Sequence, residues 1–402
     1  MTQPLTGEEW KLVLLLAMIN IVHILDFVIV MPLGDQLRQE LSVSPWQFGV
    51  VVSVYGLSAM VAGIVASTVI DRFNRRDVLL CFFAGFILAT LYCGLAPNYA
   101  HLVFGRILAG LCGGTVASTV MTFIVEVIPN QRRGRALGIV SSSFAFASTI
   151  GLPIGLGLAE LFKNFGAPFL AIALLALAVW VASYYLLPSL EGHRSQTQIS
   201  PWQQFIYVAK QPNHLWSFLF MVAMVLGTFM VIPFIAPYLV ANCGLPRSYL
   251  SLMYGVGGIG TLAAVNLTGW MADRFGPRPI FLFTAGIAVV MTVVITNLGE
   301  VGVGVCILAT TIFMMVASSR VVPAQAMMLQ SADPKTRGAF TSLTSAFSHF
   351  ATGTGPLISG LVVGEASPNG PLTGFWIAGC LAAFFGVSAM ILSFYLRPAH
   401  QE

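Results

Sequence analysis

Five ionisable side chains lie inside stretches of the sequence that are otherwise apolar, namely His23, Asp26, Arg106, Arg320 and His349. His23 and Asp26 are three residues apart, so a helix would place both on one face, with Asn20 a further turn away. A carboxylic acid beside an imidazole can bind and release a proton. We therefore interpret Asp26 as a proton-binding group that His23 tunes or relays to. A permanent structural ion pair with Arg106 is the alternative.

The two arginines need acceptors, because a guanidinium keeps its charge inside a protein. For Arg106 these would be Asp26 or nearby carbonyls, so a coupling role and a structural role both stay open. Arg320 would hold an anionic or hydroxyl-rich part of a bound molecule or a carboxylate of the other half, or else cap carbonyls freed by Pro323. His349 is either a binding residue or a satisfied helix contact. The candidate binding residues are Arg320, His349, Asn20, Phe27, Phe144 and Phe347.

The composition indicates that these residues are held inside a membrane. Hydrophobic residues make up 57% of the 402-residue sequence and charged residues 8%. A soluble domain has about 25% charged residues, so much of this chain must face lipid. The basic residues form no face with interleaved aromatic residues, which excludes nucleic acid as a partner. The sequence contains no HExxH, P-loop, GxSxG or CxxC motif, so we expect no enzyme activity, metal or cofactor.

Twelve apolar runs are long enough to cross the roughly 30 Å of bilayer hydrocarbon, which needs about 20 helical residues. In lipid they must be helices, because an open strand would leave its backbone groups unpaired. The predicted spans, numbered 1 to 12 in order, are 11–33, 46–70, 78–97, 101–127, 136–162, 168–188, 215–241, 248–272, 279–298, 302–328, 338–364 and 373–396. The fold class predicted is therefore an all-α membrane protein.

The loop charges predict the orientation. With both termini in the cytoplasm, 14 of the basic residues fall on the inner side and 3 on the outer side. Basic residues are retained on the cytoplasmic side, so this bias predicts that the N- and C-termini are both cytoplasmic.

The two halves of the chain repeat each other. Asp71-Arg72-Phe73 after span 2 matches Asp273-Arg274-Phe275 after span 8, 202 residues later. Arg133-Gly134 matches Arg337-Gly338 at 204 residues, and Pro32 matches Pro233 at 201. We predict two six-helix bundles, 1–188 and 215–402, joined by a cytoplasmic linker, 189–214, with a short interfacial helix. A duplicated unit of this kind is typical of secondary transporters, which bind their substrate between the halves.

The loop and span motifs resemble those of the major facilitator superfamily. The superfamily pattern between spans 2 and 3 is present as Gly269-x-x-x-Asp273-Arg274-x-Gly276-x-Arg278, and in a degraded form as Ser67-x-x-x-Asp71-Arg72-x-Asn74-Arg75-Arg76. Span 4 carries Arg106-x-x-x-Gly110-x-x-Gly113-Gly114, similar to the buried-arginine motif. The resemblance implies that six charged residues at the cytoplasmic ends of the spans gate the transporter: Asp71, Arg72, Arg75, Glu126, Asp273 and Arg274.

Among the branches, the twelve-span drug and sugar efflux proteins are the most similar. The run His23–Pro32 resembles their span 1, whereas the Gly-Pro element of their span 5 is incomplete here, at Leu152-Pro153. The resemblance implies a proton-coupled efflux antiporter of small amphipathic organic compounds, working by alternating access. The alternatives are a proton-coupled symporter importing an anionic or hydroxylated metabolite, and a receptor that binds without transport. We expect a monomer in a bacterial inner membrane, with a small-molecule substrate, protons and lipids as partners.

Overall fold

The computed structural model describes residues 5–69, 73–188, 201–332, 337–368 and 370–398. Asp71, Arg72 and the first part of the linker, 189–200, lie outside the described residues. The helices are α1 (Gly7–Ile29), α2 (Gly34–Leu41), α3 (Pro45–Val69), α4 (Arg75–Gly94), α5 (Tyr99–Val127), α6 (Asn130–Ser141), α7 (Ser143–Phe146), α8 (Leu152–Phe162), α9 (Gly166–Leu186), α10 (Pro201–Lys210), α11 (Pro212–Asn242), α12 (Ser248–Phe275), α13 (Pro277–Thr296), α14 (Val303–Ser319), α15 (Val321–Ser331), α16 (Arg337–Val362) and α17 (Phe375–Leu392). Two short strands, β1 (Gly364–Glu365) and β2 (Leu372–Thr373), form an antiparallel hairpin between α16 and α17.

These helices account for all twelve predicted spans. Within the described ranges, eleven helical segments are long and apolar enough to cross a membrane. The remaining span is α16, which is more polar than the others but has 26 residues. At 1.5 Å per residue it is about 39 Å long, enough to cross the hydrocarbon, and it packs along α3 and α11. The all-α membrane fold is thus confirmed; the boundaries of the two bundles stay a prediction.

Prolines divide or end three of the predicted spans. Span 5 is divided into α6, α7, a π-helical segment (Ala147–Gly151) and α8. Pro153 explains this division, because its ring displaces the carbonyl four residues earlier, inside the π segment. In span 10, the ring of Pro323 likewise displaces the carbonyl of Ser319, the last residue of α14. A new helix, α15, begins after Arg320. Span 1 ends at Ile29, before Pro32, and the outer loop that follows contains α2.

The start of α3 has a capping box. The Ser44 backbone N–H donates to the Gln47 side chain at 2.8 Å, and the Gln47 N–H donates to the Ser44 hydroxyl at 3.3 Å. Two backbone donors that the helix cannot satisfy are therefore paired. The short helix expected in the linker is present as α10.

The two halves touch along a seam of glycines between α3 and α16. A Cβ at Gly49 would lie 2.6 Å from the Pro356 carbonyl oxygen, and one at Gly56 would lie 2.8 Å from the Gly353 nitrogen. A Cβ at Gly360 would be 3.2 Å from the Cα of Trp46. Only glycine allows the backbones to approach this closely.

A second seam joins α12 to the interrupted span 5. A Cβ at Gly258 would lie 2.5 Å from the Cα of Thr149, within the π segment. The Ser251 hydroxyl donates to the Pro153 carbonyl at 2.6 Å, so a side chain of one half satisfies a backbone acceptor of the other.

Candidate functional site

Asp26 and Arg106 form a fully buried ion pair in the N-terminal half. The Nη1 of Arg106 donates to the Oδ2 of Asp26 at 3.0 Å, and both side chains are 0% exposed. The guanidinium also donates to the carbonyl oxygens of Asp26, at 3.0 Å, and Phe27, at 3.4 Å. Arg106 thus ties α5 to the last turn of α1 through three acceptors. The geometry is compatible with both interpretations of Asp26, the proton-binding one and the structural one.

Tyr55 of α3 covers this ion pair and was not anticipated from the sequence. Its ring lies 4.4 Å from the Cζ of Arg106, a cation–π contact. His23 also lies near this ring, with 6.1 Å between ring centroids. Within the described part of the chain, the Tyr55 hydroxyl and both His23 ring nitrogens have no hydrogen-bond partner. The structure therefore brings His23, Asp26 and Arg106 into one cluster, which contains buried polar atoms that the protein leaves unpaired.

The other candidates of span 1 lie beside this cluster. Asn20 donates from its side-chain nitrogen to the Val140 carbonyl at 3.2 Å, which holds α1 against α6. Phe27 lies between Tyr55, at 5.1 Å between ring centroids, and Phe229 of the opposite half, at 5.9 Å. Phe27 is thus a direct contact between the ion-pair region and the C-terminal half.

A cavity with an empty volume of about 690 Å³ lies between the two halves. Residues of both halves line it: Val28, Met31, Pro32, Phe144, Ser148, Leu152, Phe229, Ile232, Ile235, Tyr254, Thr261, Thr310, Phe313, Met314, Ala317 and Ser318. The lining that the structure describes is apolar with scattered hydroxyls and includes no charged side chain. Of the predicted binding residues, Phe144 lies in this wall.

The remaining predicted binding residues lie elsewhere in the C-terminal half. Arg320 is buried and donates to the Met224 carbonyl oxygen at 3.4 Å and to the Thr228 hydroxyl, both on α11. Phe347 stacks on Phe218 at 4.9 Å between centroids. His349 is half-buried on the α3–α16 seam. Arg320 therefore has acceptors within the protein, on α11 rather than at the turn before Pro323, and its role toward a substrate stays a prediction.

The predicted cytoplasmic gating residues are only partly described. Arg75 and Glu126 form an ion pair at 3.3 Å that joins α4 to α5 within one half. Asp273 and Arg274 are exposed, and the Arg274 guanidinium lies 5.5 Å from the Trp270 ring centroid. Asp71 and Arg72 lie outside the described residues. The gating role of this group stays a prediction.

Two further ion pairs connect the halves at the end of the molecule expected to be outside. Arg38 of α2 pairs with Glu365 of the hairpin at 2.6 Å and also donates to the Gly370 carbonyl at 3.0 Å. Asp35 of α2 pairs with Arg247, which precedes α12. In the sequence, Arg38 and Arg247 count only among the three basic residues of the outer side, and Asp35 and Glu365 carry no prediction. Their spacing gave no signal, because the partners are more than two hundred residues apart.

We expect the outer ion pairs to stabilise the state in which the outer side is closed. Glu365→Gln keeps an oxygen acceptor but removes the negative charge that pairs with the buried Arg38 in that state. An ion pair of this exposure contributes about 1 kcal/mol, so the outer side should open about fivefold more often. The measurement is the rate at which an impermeant maleimide labels Phe229→Cys from outside.

The matched control is Arg75→Gln, which removes an ion pair at the opposite end and within one half. It should not raise labelling from outside. Equal labelling in Glu365→Gln and the unaltered background would show that the outer ion pairs do not hold this side closed.

Comparison with known proteins identifies the family. The sequence profile of the Major Facilitator Superfamily matches residues 16–293 and 217–402. The multidrug resistance protein MdtG of Proteus mirabilis is 25% identical over 350 residues, which cover 84% of this chain and 85% of that protein. The chloramphenicol resistance protein of Streptomyces lividans is 23% identical over 369 residues, 91% of each chain.

A solved structure shows the same fold at lower sequence identity. The crystal structure of a D-xylose-proton symporter superposes with a TM-score of 0.79 at 14% identity, covering 98% of this chain and 99% of that one. The duplicated twelve-span architecture, the cavity between halves and the family profile all agree. The chain therefore belongs to the Major Facilitator Superfamily and is an integral membrane transporter rather than an enzyme.

Proposed function

We propose that this transporter is a proton-coupled efflux antiporter of small amphipathic organic compounds. One observation carries the proposal: α1 bears both the buried Asp26 and the cavity-lining residue Val28, and Met31 in the turn after α1 also lines the cavity. A change in the protonation of Asp26 alters its attraction to Arg106, and the helix that responds is part of the cavity wall. Proton binding and substrate binding thus act on the same element, which is the condition for coupling them.

The coupling follows from the charge of the pair. While Asp26 is ionised, Arg106 holds α1 and α5 together through a charged hydrogen bond. A proton arriving on Asp26 removes that attraction, although the two carbonyl acceptors remain. The protonated state then permits α1 to shift relative to α5 and the cavity to exchange its occupant. Release of the proton on the other side restores the pair.

The direction of transport and the class of substrate rest on two lines of support. The relatives with 84% and 91% coverage of this chain are named for multidrug and chloramphenicol resistance, which favours export. The cavity wall is apolar with hydroxyl groups, which suits amphipathic compounds. The fold does not decide the direction, because a D-xylose-proton symporter shares it. Import of an anionic or hydroxylated metabolite with a proton is therefore the second candidate.

The test is flux into inside-out membrane vesicles made from cells with and without the protein. Radiolabelled chloramphenicol and a panel of aromatic amides and carboxylates serve as probes. An antiporter should accumulate a probe when the vesicle lumen is acidic, and a protonophore should abolish the uptake. Accumulation only with an alkaline lumen would instead identify a symporter. Binding without flux in either gradient would identify a receptor that binds its ligand without transporting it.

We also propose the bacterial inner membrane as the location, with both termini in the cytoplasm and the transporter acting as a monomer. The orientation rests on the excess of basic residues in the loops of one side. Reporters fused after Arg397 and inside the linker, 189–214, should both report a cytoplasmic location. An external signal from either fusion would reverse the orientation.

A further inference from the structure

The C-terminal half carries a hydroxyl where the N-terminal half carries its buried cation. Helix α5 begins at Tyr99 and α14 at Val303, a difference of 204 residues. The residue 204 positions after Arg106 is Thr310. The position that corresponds to Asp26, 201 residues later, is Gly227. The duplicated scaffold therefore has an ion pair in one half and an uncharged counterpart, on the cavity wall, in the other.

Two threonine hydroxyls of the C-terminal half are buried without a hydrogen-bond partner in the part of the chain that the structure describes. Thr261 of α12 and Thr310 of α14 line the cavity and are 2% and 1% exposed. Within the described ranges, neither Oγ1 has a hydrogen-bond partner. A threonine in a helix commonly donates to the carbonyl four residues earlier, and in this half Thr268 and Thr292 do so.

An unpaired buried hydroxyl is costly, so its partner has to come from another source. Both threonines border the cavity, where a bound molecule supplies acceptor or donor atoms directly or through a water held with it. Tyr254 adds a third hydroxyl-bearing side chain to the same wall. The two threonines and the tyrosine thus form a cluster of polar groups in an otherwise apolar wall.

The charge of the wall restricts what can bind there. The described lining contains no cation to pair with a carboxylate. Arg320, two residues beyond the lining residue Ser318, directs its guanidinium to Met224 and Thr228 of α11. Moving an unpaired carboxylate from water into such surroundings is strongly unfavourable, whereas a neutral oxygen needs only one hydrogen bond.

We propose that Tyr254, Thr261 and Thr310 form the hydrogen-bonding subsite of the cavity, and that it selects uncharged organic molecules carrying carbonyl, amide or hydroxyl oxygens. This inference rests on the proposed transport function and specifies its substrate class. Anionic analogues of the same shape are excluded by the absence of a paired cation in the described wall. The N-terminal half binds the proton and the C-terminal half binds the polar atoms of the substrate.

The test measures binding of matched neutral and anionic probes to the purified, detergent-solubilised full chain. Chloramphenicol and salicylamide are the neutral probes, and salicylate is the anionic analogue of salicylamide. Titration calorimetry should detect the neutral probes and give at least about tenfold weaker binding of salicylate. Thr310→Val and Thr261→Val keep the side-chain shape, and each should weaken neutral binding about tenfold, the equivalent of one buried hydrogen bond. Tyr254→Phe should act in the same direction.

The matched control is Thr268→Val, two turns along α12 from Thr261. Thr268 is buried like Thr261, but its hydroxyl is already bonded to the Ala264 carbonyl. It should leave the affinity for chloramphenicol unchanged. A thermal melt of every variant separates lost folding from lost binding.

Several outcomes would overturn the proposal. Salicylate binding as tightly as salicylamide, and losing affinity in Arg320→Lys, would assign recognition to the cation. Neutral binding unchanged in Thr261→Val and Thr310→Val, or no binding of either neutral probe, would reject the subsite. The proposed function fails separately: neutral probes that bind through the threonines but do not move under a pH gradient would leave the subsite intact and remove antiport. If only carboxylates move under a pH gradient, proton-coupled transport is retained and the subsite for neutral molecules is rejected.

Discussion

Asp26→Asn is expected to abolish transport driven by a pH gradient while exchange of substrate across the membrane continues. The amide cannot bind and release a proton, so the cycle loses its coupling step. The fold should survive, because Arg106 keeps two carbonyl acceptors on α1 and the face of Tyr55. The measurement compares gradient-driven flux with counterflow of labelled against unlabelled substrate in proteoliposomes at equal pH.

The control for this prediction is Asp77→Asn. Asp77 is an exposed carboxylate on α4, so its loss should leave both fluxes unchanged. Substrate accumulation against its gradient in Asp26→Asn would assign the proton to another group. Loss of both fluxes in a well-folded protein would instead support the structural interpretation of the ion pair.

Arg106→Gln should damage the protein more than Asp26→Asn does. It removes the guanidinium that pairs with the Asp26 carboxylate, which is 0% exposed. Breaking a buried ion pair by removing one partner costs about 3–5 kcal/mol, because the remaining charge stays buried. We expect a large fall in melting temperature, recovered in part when Asp26→Asn is added. Differential scanning fluorimetry of the two single variants and the double variant measures the coupling.

Arg247→Gln serves as the comparison for that experiment. Its guanidinium pairs with Asp35 but is 30% exposed, and partly exposed pairs contribute about 1 kcal/mol or less. It should change the melting temperature little. A double variant no more stable than Arg106→Gln alone would show that the buried carboxylate does not cause the loss.

The sequence predicted the number of spans and the repeat, because apolar length and loop charge are local properties. It did not predict where spans are interrupted. Pro153 and Pro323 interrupt their helices, whereas α11 continues through Pro233 and α16 through Pro356. A proline leaves one backbone carbonyl of its helix without a hydrogen bond. The helix continues where neighbouring groups donate to that carbonyl, and this depends on tertiary packing.

The candidate site was predictable for charges and much less so for hydroxyls. Asp26, Arg106 and His23 can be singled out in the sequence, because placing an ionisable group inside a membrane raises the free energy. The structure places the three residues together. Tyr55, Thr261 and Thr310 are unremarkable in a helix sequence. Their importance depends on which atoms lack a partner, which only the packing of the helices determines. The outer ion pairs were equally inaccessible, because loops far apart in the chain form them.

The glycine seam between α3 and α16 also bears on how fast the transporter can switch. Where Gly49, Gly56 and Gly353 meet the facing helix, the halves touch backbone to backbone, so parting them there requires no side chain to leave one rotamer for another. Separation at these points loses many weak dispersion contacts gradually instead of a few strong ones at once. We therefore expect the activation barrier for opening the outer side to arise mainly at the ion pairs of Asp35 and Arg38.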